Sequence, residues 1–371
     1  MLTVVVTGVA GSLGRRVAEL LVADPTVGRI IGIDVPAGAG AGRSNQSTAG
    51  LGAAVDLHLL DLATDADTGG LGELFARADV VIHLAWHTPD GPNRAAAQEQ
   101  RIAQANQRAL RRVLDAVDAA GVRQIIHLSS ATVYGAWPDN PVPLTELAPL
   151  RPNPEFHFAV DKAEAERQLA EWAEDHPAVE VSILRPAVTV GTPQRPLYQA
   201  LGATRTLGGG EGNRPVQYLH VDDLAAAVVA VMTGRHTGVL NVAPDSGITE
   251  SVARALVGGV ARVTMPRRVA AAVASWSWRL WRSGVPKEAR AYSLHPWVVA
   301  IDRLRATGWT PQYSSEEALV ATDARPHWDD LPPGTRQNFT LLITISGVVA
   351  AAGAIGTAVT ILRRRRQSAT G

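Results

Sequence analysis

At 371 residues the chain is long enough for one large core or two domains. Its 35 basic and 35 acidic side chains give a formal net charge of +0, so no broad nucleic-acid-binding field is expected. The absence of cysteine excludes a disulfide scaffold and a thiolate metal site.

Residues 3–21, TVVVTGVAGSLGRRVAELL, read as a buried strand, a glycine turn and an amphipathic helix. Gly8 lets the chain turn sharply off the strand, Gly11 lets the backbone close on a pyrophosphate, and Gly14 lets the helix sit tight on the sheet. The helix N-terminus adds free N–H groups and a positive dipole end. A glycine triplet alone is a weak signal, but the strand before it and the helix after it supply the context of a dinucleotide site. Because the chain opens on this strand, no export signal is expected.

A second strand over 29–34 ends in Asp34, about 20 residues past Gly14, where a Rossmann fold places its ribose-binding carboxylate. A carboxylate there accepts from the adenosine 2′-OH and repels a 2′-phosphate, which favours NAD over NADP. The alternative is a loop aspartate capping a turn. Residues 36–52, rich in Gly, Ala and Ser, read as a loop. Strands follow over 55–62 and 79–85, with a short helix at 71–77 between them. His83 and His87 are four apart, yet strand covers half of that interval, so they do not share a helix face as zinc ligands do. No metal site is expected, and His83 reads as a strand-end residue. A helix over 106–120 is ended by Gly121, and a fifth strand covers 124–130. The alternation implies an α/β fold, a doubly wound parallel Rossmann sheet with right-handed crossovers over 1–191, joined by a later strand near 238–243.

A smaller substrate lobe is expected over 192–322. Arg195, Arg205 and Arg214 suit an anionic substrate, although singly each reads as a solvated surface side chain. A strand over 216–220 leads to a helix over 224–232 with Asp222 as its cap. The stretch 266–284 carries Trp276, Trp278 and Trp281 beside Arg279 and Arg282. It reads as lobe core with a basic rim, with a membrane-surface helix or a substrate lid as rivals. Residues 323–338, with Pro326, Pro332 and Pro333, form a linker. Residues 339–362 carry no charge and as a helix would reach about 36 Å, enough for a bilayer core. A transmembrane anchor is the expectation; the rival is an Ala/Gly-rich helix docked on protein. The basic tail 363–371 favours a cytoplasmic C-terminus, whereas an NAD-binding domain without an export signal belongs on the cytoplasmic face. The domain is given that face, and the orientation of the tail is left open.

Taken together, TGVAGSLG (7–14), Asp34, Asp61 with Leu62, HLA (83–85), Asn106, SSATVYG (129–135), Lys162, LRPAVTVG (184–191), YLHVDDLA (218–225) and RLRATGWTP (303–311) resemble the extended short-chain dehydrogenase/reductases of the NAD-dependent epimerase/dehydratase family. The likeness covers about residues 1–320. It implies that Gly8, Ser12 and Leu13 touch the pyrophosphate, Asp34 holds the adenosine ribose, and Asp61 and Leu62 hold the adenine. Leu84 and Ala85 would line the dinucleotide groove, and Pro186 and Val188 would flank the nicotinamide. Ser130 would hydrogen-bond the reacting oxygen, Lys162 would bind the nicotinamide ribose and supply a positive charge, and Asn106 would support proton relay.

The family's general base is a tyrosine four residues before the lysine, its pKa pulled down by that lysine and the cofactor ring. Here Phe158 holds that position, and phenylalanine has no proton to exchange. Tyr134 belongs to another motif with a structural job, and His157 points about 100° away on an ideal helix. Two functions follow. One is a membrane-anchored NAD-dependent oxidoreductase or epimerase with atypical acid–base catalysis, acting on a hydroxyl or keto substrate. Nucleotide sugars head its list by resemblance alone. The other is a non-catalytic NAD-binding sensor or scaffold at the membrane. A small-molecule partner is expected, nucleic acid is not, and a homodimer is left open.

Overall fold

A computed structural model describes residues 1–35, 54–64, 68–88, 96–191, 214–256 and 290–321, all within the unit Met1–Ala324. Seven parallel strands form the main sheet: β1 (Leu2–Thr7), β2 (Val27–Asp34), β3 (Val55–Leu59), β4 (Val80–His83), β5 (Gln124–Leu128), β6 (Glu180–Pro186) and β10 (Gly238–Val242). Their order is β10-β6-β5-β4-β1-β2-β3, so the chain reverses its winding between β1 and β4. Ligands bind at such a switch point, beyond the carboxyl ends of the strands.

Side-chain alternation in the strands assigns the two faces. Val4, Val6, Ile30 and Ile82 turn to α1 (Ser12–Ala23) and α5 (Val221–Thr233), where Val17, Leu21, Leu224 and Val228 complete one core. Val5, Ile31, Ile33 and Ile125 turn to the other face. There α2 (Thr68–Phe75), α3 (Ala96–Ala120) and α4 (His157–Asp175) bring Phe75, Leu110, Val113, Leu114 and Leu169. Strands buried on both faces explain their near-continuous apolar runs.

The lobe is built from β7 (Val188–Val190) paired with β9 (Tyr218–His220), β8 (Pro215–Val216) paired with β11 (Ile248–Thr249), and four short helices. These are α6 (Glu250–Leu256), α7 (Arg290–Leu294), α8 (Asp302–Arg305) and α9 (Ser315–Ala321). Phe156, Val188, Tyr218, Tyr292 and Leu319 form its core.

Several boundaries differ from the sequence reading. β3, β4 and β5 stop at Leu59, His83 and Leu128, because the residues that follow turn out of the ladder to form the site. α3 begins at Ala96 rather than residue 106; its first turns, AAQEQRIAQ, are too polar to show a helical stripe. The single strand expected over 216–220 is broken at Gln217, whose amide exchanges hydrogen bonds with the Val299 backbone at 2.9 and 3.0 Å. Nor does Asp222 cap α5. The cap is His220, whose ring accepts from the Asp222 N–H at 3.2 Å, and the Asp222 carboxylate pairs with Arg16 of α1 at 2.7 Å. Buried Asp223 accepts from the backbone of Gln312 and Tyr313, fastening the GWTP segment, with Trp309 buried, to α5.

Arg195, Arg205, the tryptophan stretch 266–284, the linker, the apolar run 339–362 and the basic tail lie outside the described residues. Among the described residues no helix is long and apolar enough to cross a membrane.

Candidate active site

The glycine turn after β1 is packed too closely to admit side chains. Gly8 has φ +74°, and a Cβ on it would lie 2.8 Å from the Ala85 nitrogen. A Cβ on Gly14 would lie 2.3 Å from the Gly8 carbonyl oxygen, which is how α1 seats directly on the turn. Gly11 takes an extended conformation at the N-cap of α1, where no side chain caps the helix and no acidic residue sits in the first turn. The backbone around Ser12 and Leu13 thus forms the kind of cradle that takes an anionic group, and a pyrophosphate fits it.

Asp34 closes the adjacent cleft. Its carboxylate accepts from the Ala10 N–H and the Val35 N–H, each at 2.8 Å, so it ties the glycine turn to the end of β2. It also lines the cleft with Leu60, Leu62, Ala85 and Asn106. The ribose-binding and turn-capping readings of Asp34 are therefore compatible in one residue. Of the two residues assigned to the adenine, Leu62 lines the cleft, whereas the Asp61 carboxylate accepts from the Ala63 N–H at 2.8 Å and braces the turn.

Thr7 fixes the wall opposite. Its hydroxyl accepts from the Ala85 N–H at 3.2 Å and bonds His83 Nδ1 at 2.8 Å, and its carbonyl accepts from the Leu84 N–H. Leu84 and Ala85 are thereby held against Gly8. Buried Asn106 spends its amide on the loop after β4: Oδ1 accepts from the His87 N–H at 2.8 Å, and Nδ2 donates to the His87 carbonyl at 3.0 Å. Its observed work is to hold that loop.

The reactive end lies past β5. Ser130 is buried and caps the 3₁₀ turn Ala131–Tyr134, its Oγ accepting from Thr132 Oγ1 at 2.9 Å and from the Thr132 N–H at 3.3 Å. Lys162 reaches the same strand end from α4. Its ammonium donates to the Leu128 carbonyl at 2.7 Å and lies 3.6 Å from the centroid of the Trp86 ring. Burial pulls its pKa down to about 7, against the opposing pull of Glu166 and Asp161. Asp161, next to it, is pushed up to about 6 by burial. Phe158 is half-buried, its ring 5.8 Å from Phe156 on the side of the lobe core. Pro186 ends β6 opposite Val242, and buried Val188 opens β7, where the sheet passes into the lobe.

Neither rival base is placed to act. The Tyr134 hydroxyl donates to Asn241 Oδ1 and accepts from Arg185, both at 2.8 Å, and burial pushes its pKa up. His157 is exposed and meets Glu99 of α3 at 3.2 Å. Among the described residues no group of side chains could hold a metal ion.

Three features escaped the sequence reading. One is Trp86, whose only signal was a bulky residue directly after HLA. The second is a buried chain in which Ser129 donates to Glu166, Glu166 pairs with Arg185 at 2.5 Å, and Arg185 reaches Tyr134. The third is the register pair His83 and His127, stacked with centroids 5.5 Å apart. Both residues were visible, but only the pairing of β4 with β5 brings them together.

A parallel sheet with a glycine cradle and a buried carboxylate at its switch point defines a dinucleotide-binding protein of the Rossmann class. Comparison with known proteins makes this specific. Residues 4–243 match the NAD dependent epimerase/dehydratase family, and the chain belongs to that family. NAD is accordingly its cofactor. Uncharacterized protein y4nG of Sinorhizobium fredii (strain NBRC 101917 / NGR234) is 23% identical over 332 residues, covering 86% of this chain and 77% of that protein. Among solved structures, the UDP-glucose 4-epimerase of Thermus thermophilus in complex with NAD has a TM-score of 0.62 at 22% identity, covering 86% of this chain and 97% of that one. A mutant UDP-glucuronic acid 4-epimerase from Bacillus cereus, in complex with NAD and UDP-4-deoxy-4-fluoro-glucuronic acid, has a TM-score of 0.64 at 19% identity, covering 86% and 97%. At these identities the structural likeness speaks to the fold.

Proposed function

We propose that the chain is an NAD-dependent oxidoreductase or epimerase that acts on a hydroxyl or keto group of a small molecule, with nucleotide sugars as the substrate class. The observation that carries this reading is the continuity of the site. The cradle at Gly8, Gly11 and Gly14 and the carboxylate of Asp34 share one groove edge with Leu84 and Ala85, and Ser130 and Lys162 stand at the neighbouring strand ends. NAD, when bound, supplies a hydride acceptor and donor. This chain's residues bind and orient: α1 and the glycine turn take the pyrophosphate, Asp34 the adenosine ribose, Leu62 the adenine, and Ser130 the reacting oxygen. The UDP-sugar enzymes among the structural neighbours support the substrate class.

Acid–base catalysis is atypical in this reading, because Phe158 brings no hydroxyl. The same residue supports a second reading, an NAD-binding sensor or scaffold without turnover. The apolar run 339–362 anchors the protein in a membrane, which its length and lack of charge support, and the domain's need for NAD supports placing that domain on the cytoplasmic face.

Calorimetric titration with NAD and NADP tests the cofactor site. NAD binds more tightly, and Asp34→Ala narrows the preference roughly tenfold or more, since a charge-assisted hydrogen bond to the ribose is lost on the NAD side only. Tighter binding of NADP by the native chain would refute the assignment. Nucleotide sugars screened by NADH fluorescence separate the enzyme from the sensor.

A further inference from the structure

Taking a hydride from a carbinol carbon leaves an O–H proton that some group must accept. Several described titratable groups around the ends of β4 and β5 are unsuited to it. Tyr134 is locked between Arg185 and Asn241. The Tyr292 hydroxyl donates to the Thr132 carbonyl at 2.7 Å, and burial pushes its ionisation up. Burial, reinforced by Lys162, holds His83 down to about 3 and His127 well below an ordinary imidazole, so neither takes up a proton near neutrality. His157 sits at the exposed edge with Glu99.

Lys162 differs from all of these. It is 4% exposed, and among the described residues its ammonium has one hydrogen-bond acceptor, the Leu128 carbonyl, and no carboxylate forms an ion pair with it. The Trp86 face and that carbonyl favour the ammonium, while burial favours the amine. Of the chain's 35 basic side chains only two are lysines, Lys162 and Lys287. Arginine, which carries charge almost everywhere else, cannot release a proton in this pH range.

We propose that Lys162 is itself the proton-transfer group, its neutral amine taking the proton of a substrate hydroxyl held at Ser130. The proposal rests on the oxidoreductase reading. As the carbinol hydride passes to the nicotinamide, the O–H bond breaks and its electron pair becomes the second bond of the carbonyl. The proton forms a third N–H bond at Nζ; reduction runs each transfer backward. Lys162 is faced by Asp161 and Glu166 from α4, His83 from β4 and His127 from β5, with the Trp86 ring from the loop after β4. Only the amine accepts a proton, so the oxidation rate rises with pH through about 7, where burial has placed Lys162.

The two-lysine composition makes the test direct. Protein labelled with 13C-lysine gives two Cε signals, assigned with Lys287→Arg. In unliganded protein the Lys162 signal titrates near neutrality; a midpoint near an ordinary lysine's, about 10, overturns the proposal. Lys162→Arg keeps the charge but cannot give up the proton. With NAD saturating, it lowers single-turnover hydride transfer by about 10²–10⁴-fold. An arginine variant that keeps the rate and its pH profile overturns the proposal. So does loss of the rising limb in Asp161→Asn, which would make that carboxylate the base. NAD failing to bind the native chain removes the oxidoreductase reading itself, and calorimetry registers this independently of the titration.

Discussion

Phe158 stands four residues before Lys162 on α4 and brings a ring without a hydroxyl, which narrows the neighbours that can do chemistry. Its ring packs against Phe156 with centroids 5.8 Å apart. Phe158→Tyr returns a phenol four residues from Lys162 on the same helix face. The expected result is faster hydride transfer on an accepted substrate, by about tenfold or more within the general acid–base range, with NAD affinity little changed. Single-turnover NADH formation measures it, and an unchanged rate would show that the phenol finds no productive place. The missing hydroxyl four residues before Lys162 is legible in the sequence itself. Trp86 was not, since a tryptophan after a strand carries no sign of which ammonium its ring will face.

Between elements, the chain of Ser129, Glu166, Arg185, Tyr134 and Asn241 joins the residue after β5 to α4, β6, the 3₁₀ turn and β10. Arg185 and Glu166 have side chains only 5% and 3% exposed. Replacing such a pair with apolar groups is often harmless, but removing one partner strands the other charge in the interior. Arg185→Leu is therefore expected to cost about 3–5 kcal/mol, read as a lower denaturation midpoint, and the joint change Arg185→Leu with Glu166→Leu recovers part of it. An Arg185→Leu protein as stable as the native one would show that water reaches Glu166. The strands around this network were readable from apolar runs ended by turn residues. The start of α3 was not, because its first turns lack an apolar face, and Gln217 hides a strand break that only its bonds to Val299 explain.

Across the whole molecule, the sequence located the NAD-binding half through ordered motifs and the lobe only in outline, since short paired strands such as β8 and β11 have no periodicity to detect. The apolar run 339–362 carries the remaining prediction. The full chain is expected to sediment with membranes and resist carbonate extraction, whereas a chain ending near Arg325 is expected in the soluble fraction. Comparing the two by fractionation and blot decides it, and a full chain that stays soluble without detergent would refute the anchor.

The position of β10 has a consequence for how the protein is made. This strand, Gly238–Val242, completes the edge beside β6, which ends at Pro186. When β6 has left the ribosome, its outer ladder has no neighbour and the Tyr134 hydroxyl has no Asn241 to bond. The half that holds the dinucleotide is translated first but cannot finish its sheet until β7, β8 and β9 of the lobe have followed. The nascent chain therefore passes through a stage with an open, apolar strand edge, the interval in which a holding chaperone has most to protect.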